Sequence, residues 1–176
     1  MNQYLQIPFD FFNHPFFVIF GGVSASMILL GLVYRIILWV LGITPIVIRL
    51  GVGLWRRKIA IIGSFEAYQS LSSTIIDSGI FNSNKIMHIE PGSIERAKSE
   101  SIYLVDWASS SDKINDIFSS RKSHQTAVII FASPGSIPME QISGIANKPN
   151  TVIVNFKGRL LNDILTSLLT TSYDSK

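Results

Sequence analysis

Seven residues of this chain pair a polar, acidic or glycine side chain with a position just after an apolar run: Gly63 and Ser64 follow KIAII, Glu90 follows KIMHI, Asp106 follows SIYLV, and Ser133, Gly135 and Ser136 follow AVIIF. In an open parallel sheet, ligands bind in the crevice beyond the carboxyl ends of the strands. These residues therefore define one candidate ligand or docking pocket. Glu90 stands where a dinucleotide fold would place its ribose-binding acid, but GSFEAY lacks the G-x-G-x-x-G that lets a pyrophosphate approach the backbone. Ser-Pro-Gly-Ser at 133–136 could wrap an anion with backbone amides or simply form a turn. Ser64 has no G-x-S-x-G context and no base within its motif. Glu66 is placed for the first turn of a helix, where an acid complements the helix dipole. His14, His88 and His124 are scattered without metal-ligand spacing, and with no cysteine there is no thiolate site or disulfide. No catalytic set, metal or cofactor follows from these residues.

The elements that would position the pocket alternate in type. Lys58–Ile62, Lys85–Ile89, Ser101–Val105, Ala127–Phe131 and Thr151–Val154 read as strands. Phe65–Ile76, Ser93–Lys98, Asp112–Ser120, Pro138–Ala146 and Leu160–Thr170 read as helices. Near-continuous apolar strands are covered on both faces, and strand–helix repetition implies a parallel, doubly wound α/β sheet of five strands with right-handed crossovers. A receiver-like or Rossmann-like domain is expected over residues 59–176.

Before it lies a different solvent regime. Phe16–Tyr34 runs nineteen residues without a formal charge, about 28 Å as a helix and close to the ~30 Å hydrocarbon core of a bilayer. A transmembrane helix over about 15–41 is expected, capped by Asn13 or His14 with Pro15 in its first turn. The aromatic stretch Tyr4–Phe12 reads as an interfacial collar. Gly42-Ile43-Thr44-Pro45 is the natural break. Residues 45–58 then form an amphipathic helix lying on anionic headgroups, or alternatively a second short membrane helix. Trp39, Arg35, Arg49, Trp55, Arg56, Arg57 and Lys58 are the expected membrane-interface residues. Gly21, Gly22, Ala25 and Ser26 place small residues four apart, a spacing that lets membrane helices approach and favours a homo-oligomer.

Charge separates the same two regions. Residues 1–58 carry five basic side chains against Asp10, and the remainder carries ten basic and eleven acidic ones. The net +3 therefore belongs to the membrane segment, and no basic stripe marks a nucleic-acid surface. A cleavable signal peptide would carry its basic residues before the apolar run; here they follow it, which favours a retained anchor. Because basic residues favour the cytoplasmic side, the N-terminus is expected outside and the domain inside an inner (plasma) membrane of bacterial type.

The run IAIIGSFEAYQSLSSTIIDSGIF resembles the opening of a response-regulator receiver domain. YLVDWASSS is similar to the phosphoacceptor segment, with Asp106 in the acceptor position; VIIFASPGS resembles the switch segment, and VIVNFKGRLLNDILTSLL the last strand and helix. The resemblance runs from Lys58 to Tyr173 and implies a flavodoxin-like fold. It departs at the sites of chemistry. The acidic pair that would hold Mg²⁺ is Gly63-Ser64, the lysine position falls on Asn155 with Lys157 nearby, and the switch position falls on Phe131 or Ala132, with Ser133 next. One carboxylate without acidic partners holds Mg²⁺ poorly, so the resemblance implies a degenerate receiver with Asp106 capping the turn that follows it. The expected function is non-catalytic: a membrane-anchored interaction or regulatory subunit of an oligomeric envelope assembly with protein partners. The alternative is a membrane effector gated by a nucleotide or other anion, whose helices perturb the bilayer. A nucleotide-processing enzyme comes third.

Overall fold

A computed structural model describes residues 14–123 and 125–171; the Tyr4–Phe12 collar, Asn13 and His124 lie outside them. The chain divides into two compact units, Met1–Val47 and Ile48–Lys176.

The first unit is dominated by α1 (Pro15–Val40), a helix of 26 residues. His14 caps it, its Nδ1 accepting from the Phe16 amide at 3.3 Å, and Pro15 occupies the first turn, where its missing N–H costs nothing. Its apolar side chains, from Phe16 through Leu30 to Val40, are exposed except for the half-buried Leu38. Among the described residues this is the one helix long and apolar enough to cross a bilayer. It ends at the turn around Gly42, whose φ of +71° suits glycine, and α2 (Ile43–Arg56) follows at once. The unit boundary falls inside α2.

The second unit is an α/β domain built on a five-stranded, all-parallel, Rossmann-like sheet. Its strands are β1 (Ile59–Ile62), β2 (Ile86–Ile89), β3 (Ile102–Asp106), β4 (Ala127–Phe131) and β5 (Thr151–Val154), in the order β2-β1-β3-β4-β5. Ile59 pairs in register with Ile86 on one side and Ile102 on the other. Because successive strand residues face opposite ways, these apolar runs feed two cores. Ala60, Ile62, Tyr103, Val105, Val128 and Ile130 meet α4 (Trp107–Ser110), α5 (Ile114–Ser119) and α6 (Met139–Ala146) through Trp107, Ile117, Phe118 and Ile145. Ile59, Ile61, Ile102, Leu104 and Ile129 meet α3 (Phe65–Asp77) and α7 (Lys157–Thr170) through Leu71, Ile75, Leu160, Ile164 and Leu168.

Two local departures from the sequence reading have simple causes. The expected helix at 93–98 is a 3-10 turn over Ile94–Ala97, since Pro91-Gly92 and the next strand leave no room for regular turns. The helix expected at 112–120 is the shorter α5, reached through a helical turn that Asp106 caps and a 3-10 segment at Ser111–Lys113.

The second core continues into α2. Leu50 and Leu54 pack against it, and Gly53 is buried so closely on α7 that a Cβ there would lie 3.2 Å from Leu168 Cδ2. Arg49 Nη1 donates to the Leu169 carbonyl at 3.1 Å. The Arg57 guanidinium, 3% exposed, donates to both the hydroxyl and the carbonyl oxygen of Thr171. The sequence reading placed the domain boundary after Lys58; the compact unit begins at Ile48, with residues 48–57 as part of its wall.

Leu168→Ala is expected to lower the stability of the second unit by about 2–5 kcal/mol in chemical denaturation of the detergent-solubilised chain. Amide exchange of residues 48–57 should accelerate together with that of α7. Tyr103, fully buried, has its hydroxyl pKa pushed up by desolvation, an effect the Ser120 side chain only partly offsets. A raised folded value means the unfolded chain loses this proton first, so stability should fall as pH rises above about 10. Tyr103→Phe should flatten that alkaline decline.

Candidate functional site

At the carboxyl ends of β1 and β3, adjacent strands in the sheet, four residues close on one another. Gly63 leaves β1 with its amide donating to the Ile89 carbonyl at 3.1 Å. Its own carbonyl accepts from His88 Nε2 at 3.0 Å, which requires the proton to sit on that nitrogen. Ser64 caps α3, its hydroxyl accepting from the Ala67 amide at 3.2 Å, as its residue type favours. Asp106 caps the turn opening at Trp107: its Oδ2 accepts from the Ser109 amide at 3.1 Å and from the Ser109 hydroxyl at 2.6 Å. Ser109 Oγ in turn accepts from the Ser64 amide at 3.0 Å. The two loops are thus joined by a continuous chain of bonds from Ser64 through Ser109 to Asp106.

Gly63 is what allows the loops to approach. A Cβ at this position would lie 2.8 Å from Asp106 Cβ and 3.1 Å from Ser109 Oγ, closer than carbon atoms can sit. Ser110 Oγ adds a longer bond of 3.4 Å to the Ile62 carbonyl.

Among the described residues, the remaining candidates share no hydrogen bond with this cluster. Ser133, Gly135 and Ser136 form an exposed turn in which the Ser136 amide and hydroxyl both donate to the Ser133 carbonyl, at 3.0 and 2.7 Å. With Pro134 second and Gly135 third at φ +77°, it has the arrangement of a type II turn. Trp107 Nε1 donates to the Ser136 carbonyl at 3.2 Å and ties the turn to the start of α4. Glu90 is exposed and contributes its backbone carbonyl to the Ser93 amide; among the described residues no hydrogen bond joins it to Gly63, Ser64 or Asp106. Glu66 lies in the first turn of α3.

The donor set does not fit the divalent cation that a receiver would hold. Asp106 brings one carboxylate, with Oδ2 already engaged by Ser109, and Gly63 and Ser64 bring none. Among the described residues no three His, Asp or Glu side chains gather in a metal-holding group.

Sequence reasoning missed two contributors. Ser109 carries no signal alone, although an Asp N-cap at 106 points to the backbone amide three residues on. His88 stacks on Tyr68 with ring centroids 4.8 Å apart and meets the exposed Phe65 at 5.8 Å, an aromatic cluster beside the Gly63 carbonyl.

The membrane-interface candidates separate. Arg35 and Trp39 are exposed on α1, where Ser26 Oγ donates to the Gly22 carbonyl at 2.9 Å and Gly21 and Gly22 have open space beside them. Ala25 is exposed as well. Trp55 is 70% exposed with the Arg56 guanidinium 5.4 Å from its ring centroid, and Lys58 is exposed. Arg57, read from sequence as a headgroup cation, is instead the buried partner of Thr171.

Comparison with known proteins finds no family model and no curated protein that matches the chain.

Gly63→Ala should destabilise the domain by about 1–3 kcal/mol, as overpacking does. Asp106→Ala should cost about 1 kcal/mol through the lost cap, and Asp106→Asn, which can still accept from the Ser109 amide, should cost less. Thermal melts of the three variants check this order.

Proposed function

We propose that the chain is a non-catalytic, membrane-anchored interaction subunit. In this reading α1 spans an inner (plasma) membrane with the N-terminus outside. The cytoplasmic domain is a doubly wound, receiver-like module that docks protein partners of an oligomeric envelope assembly. The observation that carries it is the internal use of Asp106: a carboxylate committed to Ser109 and flanked by a glycine and a serine is built for a cap and not for phosphoryl chemistry. The sheet order β2-β1-β3-β4-β5 supports the receiver-like reading, since it is the flavodoxin-like order. The length and apolarity of α1 support the anchor, and the small residues Gly21, Gly22, Ala25 and Ser26 support its self-association.

A second reading is favoured by one feature, the packing of residues 48–57 on α7. A nucleotide or other anion bound near Gly63-Ser64 and Ser133–Ser136 would have a mechanical route to the membrane-proximal helix, as a gated effector requires.

Incubation with acetyl phosphate and Mg²⁺ is expected to leave the intact mass unchanged, and a stoichiometric phosphoryl adduct at Asp106 would overturn the primary reading. The detergent-extracted particle should have a protein mass that is a multiple of 19.6 kDa, and a single copy would remove the oligomer. Nucleotides should leave the melting temperature where it is; a concentration-dependent rise, as mass action demands of a ligand, would transfer support to the effector.

A further inference from the structure

Helix α2 has two apolar sides, and among the described residues of the second unit only one is covered. At 100° per residue, Leu50, Gly53, Leu54 and Arg57 share the side that packs on α7 and the core of the second unit. Ile48, Val52 and Trp55 fall within an arc of about 60° on the opposite side. They are 59%, 36% and 70% exposed. Arg49 and Arg56 fall together along one flank of this stripe, and Lys58 follows just after the helix; all three are exposed.

We propose that this outer side is a lipid-docking surface for an anionic bilayer, with Ile48, Val52 and Trp55 in the acyl boundary and Arg56 and Lys58 on the headgroups. The proposal rests on the membrane-anchored reading and adds how the domain is held: α2 is an adapter with protein on one side and lipid on the other.

Three observations select lipid as the occupant. Every formal charge between His14 and Phe65 is positive, which complements an anionic surface. The stripe begins eight residues after the end of α1, so an anchored chain delivers it to the interface without further search. A tryptophan with a guanidinium over its ring, on a helix of alternating apolar and basic flanks, has the composition of an interfacial helix. A second copy is the poorer partner, because a two-fold contact through this side sets Arg49 and Arg56 against their own images.

The chain has no cysteine, so single substitutions report one position each. Full-length protein carrying Ile48→Cys, Val52→Cys or Trp55→Cys, with Leu29→Cys on α1 and Ser73→Cys on α3 as references, is spin-labelled and reconstituted into vesicles of phosphatidylcholine with phosphatidylglycerol. The ratio of oxygen collisions to those of a water-soluble nickel chelate should be several-fold higher at 48, 52 and 55 than at 73. It should fall at these three when Arg56→Gln and Lys58→Gln are combined, or when phosphatidylglycerol is omitted. Leu29 should stay lipid-exposed throughout.

If 29 reads lipid while 48, 52 and 55 read water, the adapter is overturned and the anchor stands. If 29 also reads water, both fall. Dipolar broadening between labels at 48, 52 or 55 would mark a second copy on this side and overturn the lipid assignment, and indifference to both phosphatidylglycerol and the two substitutions would overturn its anionic character.

Discussion

The domain depends on one constraint: a parallel sheet whose central strands are almost wholly apolar must be covered on both faces. β1, β3 and β4 have almost no solvent-exposed surface, so each face needs a continuous apolar lid. On one side α4, α5, α6 and the 3-10 turn supply it. On the other, α3 and α7 do most of the covering, and Leu50 and Leu54 of α2 extend the layer past Leu168. The segment leading out of the apolar N-terminal region is thereby recruited into the domain wall. The two hydrogen bonds from Arg57 to Thr171 close the seam and engage both terminal nitrogens of a buried guanidinium.

The same economy of space shapes the strand ends. β1 and β3 are neighbours, so their outgoing loops must pass within van der Waals distance, and only a residue without a side chain fits at position 63. The polar groups there are consumed in holding the loops together: Ser64 caps α3, Asp106 caps α4, and Ser109 bridges them. That is the physical basis for reading this end of the sheet as scaffold in place of reaction centre. His88, with its Nε2 proton on the Gly63 carbonyl and its ring against Tyr68, stiffens the loop from the β2 side.

Function in this reading follows from the differing solvents of the two regions. α1 presents apolar side chains all round, a surface that water penalises and hydrocarbon accepts. The second unit keeps its apolar groups in two internal layers, and α2 meets both conditions, with one side in a protein core and the other uncovered.

Much was legible in the residues alone, because it depends on local pattern. The apolar runs located all five strands to within a residue or so, since a strand buried on both faces admits almost nothing else. Gly42 before Pro45 marked the break between the first two helices, and Asp106 was recognisable as a cap, because capping is settled within three residues of sequence. Other features needed the folded chain. Ser109 bridges two loops only because β1 and β3 are adjacent, and the sequence does not contain strand order. Glu90 was grouped with the pocket by its place after β2, but an edge strand and the Pro91-Gly92 turn leave it outside the hydrogen-bonded cluster. Arg57 looked like a third surface cation in a basic triplet. Its burial is decided by α7, more than a hundred residues away in the chain. Composition determined which segments shun water, and tertiary packing decided which of those segments meet each other, because close approach is a property of distances that no local pattern encodes.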